Sequence, residues 1–234
     1  KSSTSAAHKE LIRRTSRSPL QTAQELTKTY GHSLPSVAYI PALALLGRLR
    51  VGELDGDGRH AKDVQKIVAP FIDGPRQALG KRVSGSTLSG HLIFSELARR
   101  TGNKKYFNLA KAAADLGFDD SGKLKQSMPF HSEMSDAVFM GTPILVQTGL
   151  LADDSKYFDM ADRHLRFMMK LNLRKDGLHQ HSPLDKSGTA WGRGNGFVAL
   201  GLALSLSDLP KNSRHRPFML KAYQEHIAAM IKHQ

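Results

Sequence analysis

Cysteine is absent from the 234 residues, and tryptophan occurs once, at Trp191. The first absence excludes disulfide bridges and thiolate chemistry, but it does not locate the chain in an oxidising or reducing compartment. Uninterrupted apolar runs of the roughly 18 residues that a membrane span needs are also missing. No basic-then-apolar stretch with a small-residue cleavage site opens the chain, which begins at Lys1 rather than at a methionine. These features describe a soluble protein, either cytoplasmic or secreted or periplasmic with its signal already removed. Acidic residues are few, 21 against 34 lysines and arginines, for a formal net charge of +13. That balance favours an anionic partner. Nucleic acid, an acidic polysaccharide and plain solubility are all compatible with it. Alternating strand patterns are lacking as well, which leaves an all-α fold.

What the chain does have is helical periodicity broken by glycine. Residues 1–34 read as a poorly packed N-terminal segment, with a short helix around Glu10 to Arg14. From Pro35 onward Val37, Ile40, Leu43, Leu46 and Leu49 recur at helical spacing until Asp55-Gly56-Asp57-Gly58 stops them. That acidic turn lacks the glutamate of a calcium loop, so it reads as an ordinary helix end. A second helix covers about 61–72, and Ser84-Gly85-Ser86-Thr87 reads as a loop and N-cap before a third over 88–100. A shift of 51 residues then lays Gly90 on Gly141, Ile93 on Ile144, Lys105-Tyr106-Phe107 on Lys156-Tyr157-Phe158 and Ala110 on Ala161. A repeat of this length means stacked helix pairs, because one pair cannot bury its own apolar stripe. A fourth pair runs over 196–208 and 217–234, so residues 35–234 read as a single domain of helical hairpins.

The chemically unusual residues fall between the helices. Trp191-Gly192-Arg193-Gly194-Asn195-Gly196 reads as a glycine-punctuated turn before an apolar helix over 197–206. An indole suits the C–H face of a sugar ring, and an arginine fork suits a carboxylate. The structural alternative is a helix-entry loop with a buried anchor. Asp136 stands where a helix begins, so it is either an N-cap or a catalytic acid; the second role needs a carboxyl that can hold a proton. His131 and Glu133 lie just upstream. The pair His179 and His181 lacks a further ligand at metal spacing, and no metal site is expected.

Three stretches together carry a resemblance: Ser135-Asp136-Ala137-Val138-Phe139-Met140-Gly141-Thr142-Pro143, then Gly177-Leu178-His179-Gln180-His181, then Trp191-Gly192-Arg193-Gly194-Asn195-Gly196-Phe197. The chain resembles the unsaturated glucuronyl and rhamnogalacturonyl hydrolases of glycoside hydrolase families 88 and 105 over about residues 84–206. The resemblance implies an (α/α)6 toroid, a ring of six helical hairpins, of which four are visible; the ring is expected to be incomplete at the C-terminus. It implies removal of a 4,5-unsaturated uronic acid from lyase-generated oligosaccharides by hydration of the C4=C5 double bond, with no cofactor. Asp136 would be the catalytic acid and base. His181, Trp191, Arg193, His131 and Asn195 would bind an acidic oligosaccharide substrate. The chain departs from the family in two places. Gly85, Ser86 and Thr87 stand where relatives carry a second aspartate, and Met134 stands where a tryptophan commonly precedes the catalytic one.

Two other functions stay open on the residues alone. A catalytically inactive carbohydrate-binding toroid would follow from the missing second aspartate. A helical-repeat scaffold or nucleic-acid binder would use the positive charge, although no basic patch interleaved with aromatics accompanies it.

Overall fold

The computed structural model describes residues 5–129 and 133–233. Helices α1 (Ala6–Thr15) and α2 (Pro19–Thr27) come first, each started by a serine hydroxyl that accepts a backbone N–H. The N-terminal segment is thus more helical than its composition suggests, yet neither helix buries a residue. Helix α2 rests on the first of four hairpins.

Those hairpins are α3 (Tyr39–Asp55) with α4 (Gly58–Ile72); α5 (Gly85–Gly90) and α6 (Leu92–Thr101) with α7 (Lys104–Ala114); α8 (Ala137–Ala152) with α9 (Lys156–Asn172); and α10 (Gly192–Asp208) with α11 (Arg216–Ile231). Helices α3, α5 with α6, α8 and α10 touch in succession and form an inner layer, while α4, α7, α9 and α11 back them from outside. This is the α/α toroid arrangement. No β-strand occurs among the described residues. Each of the two long connections between hairpins holds one isolated antiparallel bridge, Phe118 with Leu124 and Leu173 with His179.

Inner position explains the sequence of α8. A helix enclosed on every side must be apolar all round, and every residue from Ala137 to Val146 is buried. Phe139 stacks on Phe197 of α10 at 5.2 Å, and Tyr39 of α3 meets both rings edge-on, so three inner helices are joined by aromatic contact. Helix α10 approaches α8 closely because Gly201 has no side chain: a Cβ there would lie 2.7 Å from the Phe139 backbone.

Two local expectations differ from what is found. In α3 the buried face is Ala42, Leu45, Arg48 and Leu49, whereas Ile40 is 66% exposed. Arg48 enters that face because its guanidinium donates to the Gly31 carbonyl and pairs with Asp63. The helix expected over 88–100 starts three residues earlier, at Gly85, and is interrupted at His91, whose ring Nδ1 engages the Thr87 carbonyl at 2.7 Å.

Candidate active site

The two bridged connections lead into the N-termini of α8 and α10, and hydrogen bonds tie these ends together. Ser135 N–H donates to the His181 carbonyl at 2.9 Å, and His181 N–H donates to the Thr189 carbonyl at 3.1 Å. Asn172, the last residue of α9, donates from its side chain to the Glu133 carbonyl at 3.2 Å. His164 of α9 adds a second fastening. Its Nδ1 accepts the Met128 N–H at 3.1 Å, so the proton sits on Nε2, which donates to the Ala137 carbonyl at 2.8 Å. The backbone on either side of Asp136 is therefore held from α9 and from the segment carrying His181.

Asp136 precedes α8 but does not cap it. Its backbone is already helical, at φ −51° and ψ −28°, whereas an N-cap residue adopts extended angles to turn its oxygen onto the helix N–H groups. The carboxylate is turned elsewhere. Asp136 is 7% exposed, and its Oδ1 is buried with no hydrogen-bond partner among the described residues. Nearby lie two more buried polar atoms in the same condition, Ser135 Oγ and His181 Nδ1. His181 Nδ1 is 3.9 Å from Asp136 Oδ1, which is beyond hydrogen-bonding distance.

All three atoms face Gly194, in the first turn of α10. A Cβ at that position would lie 2.8 Å from Ser135 Oγ, 3.6 Å from Asp136 Oδ1 and 3.9 Å from His181 Nδ1. The glycine thus keeps open a space that any side chain would fill. Its neighbours do something different. Gly192 and Gly196 have nothing within 4 Å of a Cβ, and none of the three glycines has a positive φ. The stretch expected to be a turn before the helix is in fact the helix's own first turn.

Trp191 immediately precedes that turn, 42% exposed. Its indole meets the His181 ring edge-on at 5.1 Å, and the exposed Arg193 guanidinium lies 3.8 Å from the indole centroid. Trp191, Arg193, His181 and Asp136 are therefore brought together. His131 lies outside the described residues.

Asn195, expected on the sugar, is turned inward instead and is 4% exposed. Its Oδ1 accepts the His179 N–H at 2.8 Å, and its Nδ2 donates to the carbonyls of His179 and Trp191, both at 3.0 Å. An amide with both N–H groups and its oxygen engaged by backbone holds the loop and has no donor left for a ligand. His179 parts company with His181: it is buried edge-on against His226 of α11 at 5.1 Å, and burial, followed by the neighbouring His226, pushes it down to about 3. Among the described residues no cluster of His, Asp or Glu has the geometry to hold a metal ion. His164 and His226 carry no motif that would have selected them, and Ser135, although it opens the first of the three stretches, has no role implied there. Each is recognisable only from the partner it meets, or lacks, in space.

The fold is shared with known proteins. Helical architecture is shared with a family 105 glycoside hydrolase from C. acetobutylicum (TM-score 0.70, 21% identity, 91% of this chain and 64% of that one). It is shared equally with a glycosyl hydrolase family 88 protein from Bacteroides vulgatus (TM-score 0.73, 12% identity, 91% and 68%). In sequence, 118 residues are 30% identical to the unsaturated 3S-rhamnoglycuronyl hydrolase of Formosa agariphila, covering 42% of this chain and 30% of that protein. The chain thus spans about two thirds of the solved relatives and under a third of the curated one. Residues 11–234 match Glycosyl Hydrolase Family 88, a stretch that takes in all four hairpins and every described residue of the site, and the chain belongs to that family.

Proposed function

We propose that the site removes a 4,5-unsaturated uronic acid from the non-reducing end of an acidic oligosaccharide by adding water across the C4=C5 double bond. The observation that carries this reading is the set of three buried polar atoms without a hydrogen-bond partner among the described residues, Ser135 Oγ, Asp136 Oδ1 and His181 Nδ1, around the space that Gly194 leaves open. Buried polar groups are nearly always paired, and a convergent set without partners suits an incoming water or substrate hydroxyl. In the reaction Asp136, protonated, delivers its proton to C4, and water adds its oxygen to C5. The water proton returns to the carboxylate, so a single residue acts first as acid and then as base. The product is a hemiketal at C5, which opens and releases the neighbouring sugar.

The Trp191 face and the Arg193 fork form the wall against which the uronate would lie. A stacked guanidinium keeps its planar donors free for a carboxylate, and a net charge of +13 favours the approach of an anionic chain. The Formosa relative is named for action on an unsaturated rhamnoglycuronyl unit, which supports the same substrate class here. Oligosaccharides made by lyases from pectin, glycosaminoglycan and ulvan, followed by the ultraviolet absorbance of the conjugated double bond, test the proposal. Loss of absorbance with at least one of them is expected. Binding without loss from any would replace the hydrolase by a carbohydrate-binding toroid, an outcome favoured by Gly85, Ser86 and Thr87 standing where relatives carry a second aspartate.

A further inference from the structure

We infer that His226, on the outer helix of the fourth hairpin, is a positioning residue for the Trp191 wall, acting through Asn195. His226 is 2% exposed, and both ring nitrogens face carbonyl oxygens: Nε2 that of Asn195 at 3.0 Å and Nδ1 that of Gly177 at 3.2 Å. The two carbonyls belong to different parts of the site end. Gly177, at φ +83°, is the corner of the bridged turn that leads to His179 and His181, and Asn195 is in the first turn of α10. A neutral imidazole has a single N–H, so the ring donates to one of these carbonyls at a time and to both only as an imidazolium; in either form it lies between the two segments that flank the wall.

The link onward is the Asn195 side chain, which holds the Trp191 carbonyl and both backbone groups of His179. His226 makes no hydrogen bond or ring contact with Trp191 or Asp136; its partners among the described residues are Gly177, Asn195 and His179. Its effect on them passes through the orientation of Asn195 and the turn at Gly177. A buried ring that served packing alone would not need an acceptor at each nitrogen, and an aromatic hydrocarbon would fill the same space without leaving ring nitrogens to satisfy. His179, packed against the ring, is burial-shifted to about 3 and so stays neutral, offering the clasp no competing charge.

Because Trp191 is the sole indole, its fluorescence reports on the wall directly. The test is acrylamide quenching of that emission in four variants: His226→Phe, which keeps a ring and loses both nitrogens; His226→Gln, which keeps one amide donor; Asn195→Ala; and the double variant Asn195→Ala/His226→Phe. The quenching slope should rise in His226→Phe by up to about twofold, the ratio of full exposure to the 42% exposure of the native indole. Gln should rescue part of the change. Asn195→Ala should match His226→Phe, and the double variant should go no further than Asn195→Ala, because both act on one linkage. An unchanged slope in the His226 variants together with a lowered melting temperature would overturn the inference, as would additive effects in the double variant. Should His226→Phe fail to fold, the Gln and Asn195→Ala variants decide the matter by the same slopes. The inference rests on the reading of the site as a uronate wall only where turnover is concerned. There His226→Gln should raise KM severalfold while largely sparing kcat. Absence of turnover in the native protein would remove the proposed reaction and leave the quenching result standing.

Discussion

The second and third hairpins are built on one plan, 51 residues apart, and they begin in opposite ways. Ser84 and Gly85 in the second correspond to Ser135 and Asp136 in the third. In the second, Ser84 and Thr87 exchange the hydrogen bonds of a capping box, each hydroxyl taking the other's backbone N–H at 3.4 Å. In the third, the serine hydroxyl and an aspartate oxygen are buried with no partner among the described residues. An unpaired buried polar group costs about 1–3 kcal/mol, so the start of the third hairpin carries a penalty that the start of the second avoids. One frame thus serves two ends: a start that completes itself within the chain, and a start left open for a group from outside.

The largest effect should come from closing the open start chemically. Asp136→Asn keeps the shape and removes the transferable proton, and should lower turnover of unsaturated oligosaccharides by about 10²–10⁴-fold, read from loss of double-bond absorbance. Undiminished turnover would erase the distinction between the hairpins. Next comes a difference in acid sensitivity. His91, in the second hairpin, is fully buried with Nε2 unpartnered, and burial pushes it down to about 4; its counterpart 51 residues on is Thr142, which does not titrate. Unfolded, the histidine takes up a proton near its ordinary value of 6.5, while the folded ring resists until about 4. The stability it supports is therefore complete above about pH 6.5 and is lost as pH falls toward 4, by on the order of 3 kcal/mol. Urea melts from pH 7 to 4 should show that slope, and His91→Gln should flatten it.

Steric closure of the open start is expected to matter somewhat less. Gly194→Ala drives a methyl to 2.8 Å from Ser135 Oγ and should cost about 1–3 kcal/mol in thermal or urea unfolding, along with the activity. Gly192→Ala and Gly196→Ala meet open space within a helix and should instead stabilise by about 0.5–1 kcal/mol. The smallest effect belongs to the completed start. Ser84→Ala should cost about 1 kcal/mol of stability and leave turnover unchanged, since its hydroxyl serves only the cap. A loss of turnover there would show that the second hairpin is also part of the reacting machinery.

The hairpins, their repeat and the residues around Asp136 were legible in the sequence because apolar periodicity and glycine stops are local signals. So was the family, because three short motifs keep their order. Facing directions were less legible. Ile40 continues the apolar spacing of α3, yet it points to solvent, and a buried arginine occupies the face that the pattern assigns to leucines. Asn195 lies in the sequence beside Trp191 and Arg193 and so reads as a third sugar contact; a helical turn rotates it away from them and into the backbone of the neighbouring loop. The Trp191 to Gly196 stretch reads as a turn because it is rich in glycine, but the helix already begins at Gly192, only Trp191 staying extended, and one of its glycines serves close approach to Ser135. His226 was out of reach. It meets Asn195 across 31 residues of sequence, and nothing near it in the chain signals a carbonyl at either nitrogen.

Helix α8, which Asp136 precedes, has no outward side from Ala137 to Val146, and only its last turn surfaces, at Leu150. The enclosed stretch offers no position where an exchange of side chains goes unfelt. Outer helices such as α9 and α11 each have a wet face on which replacements cost little. Saturation mutagenesis should therefore divide the chain into slow and fast lanes of change. The enclosed stretch Ala137 to Val146 would tolerate almost nothing, and the outer helices would tolerate most replacements on one side.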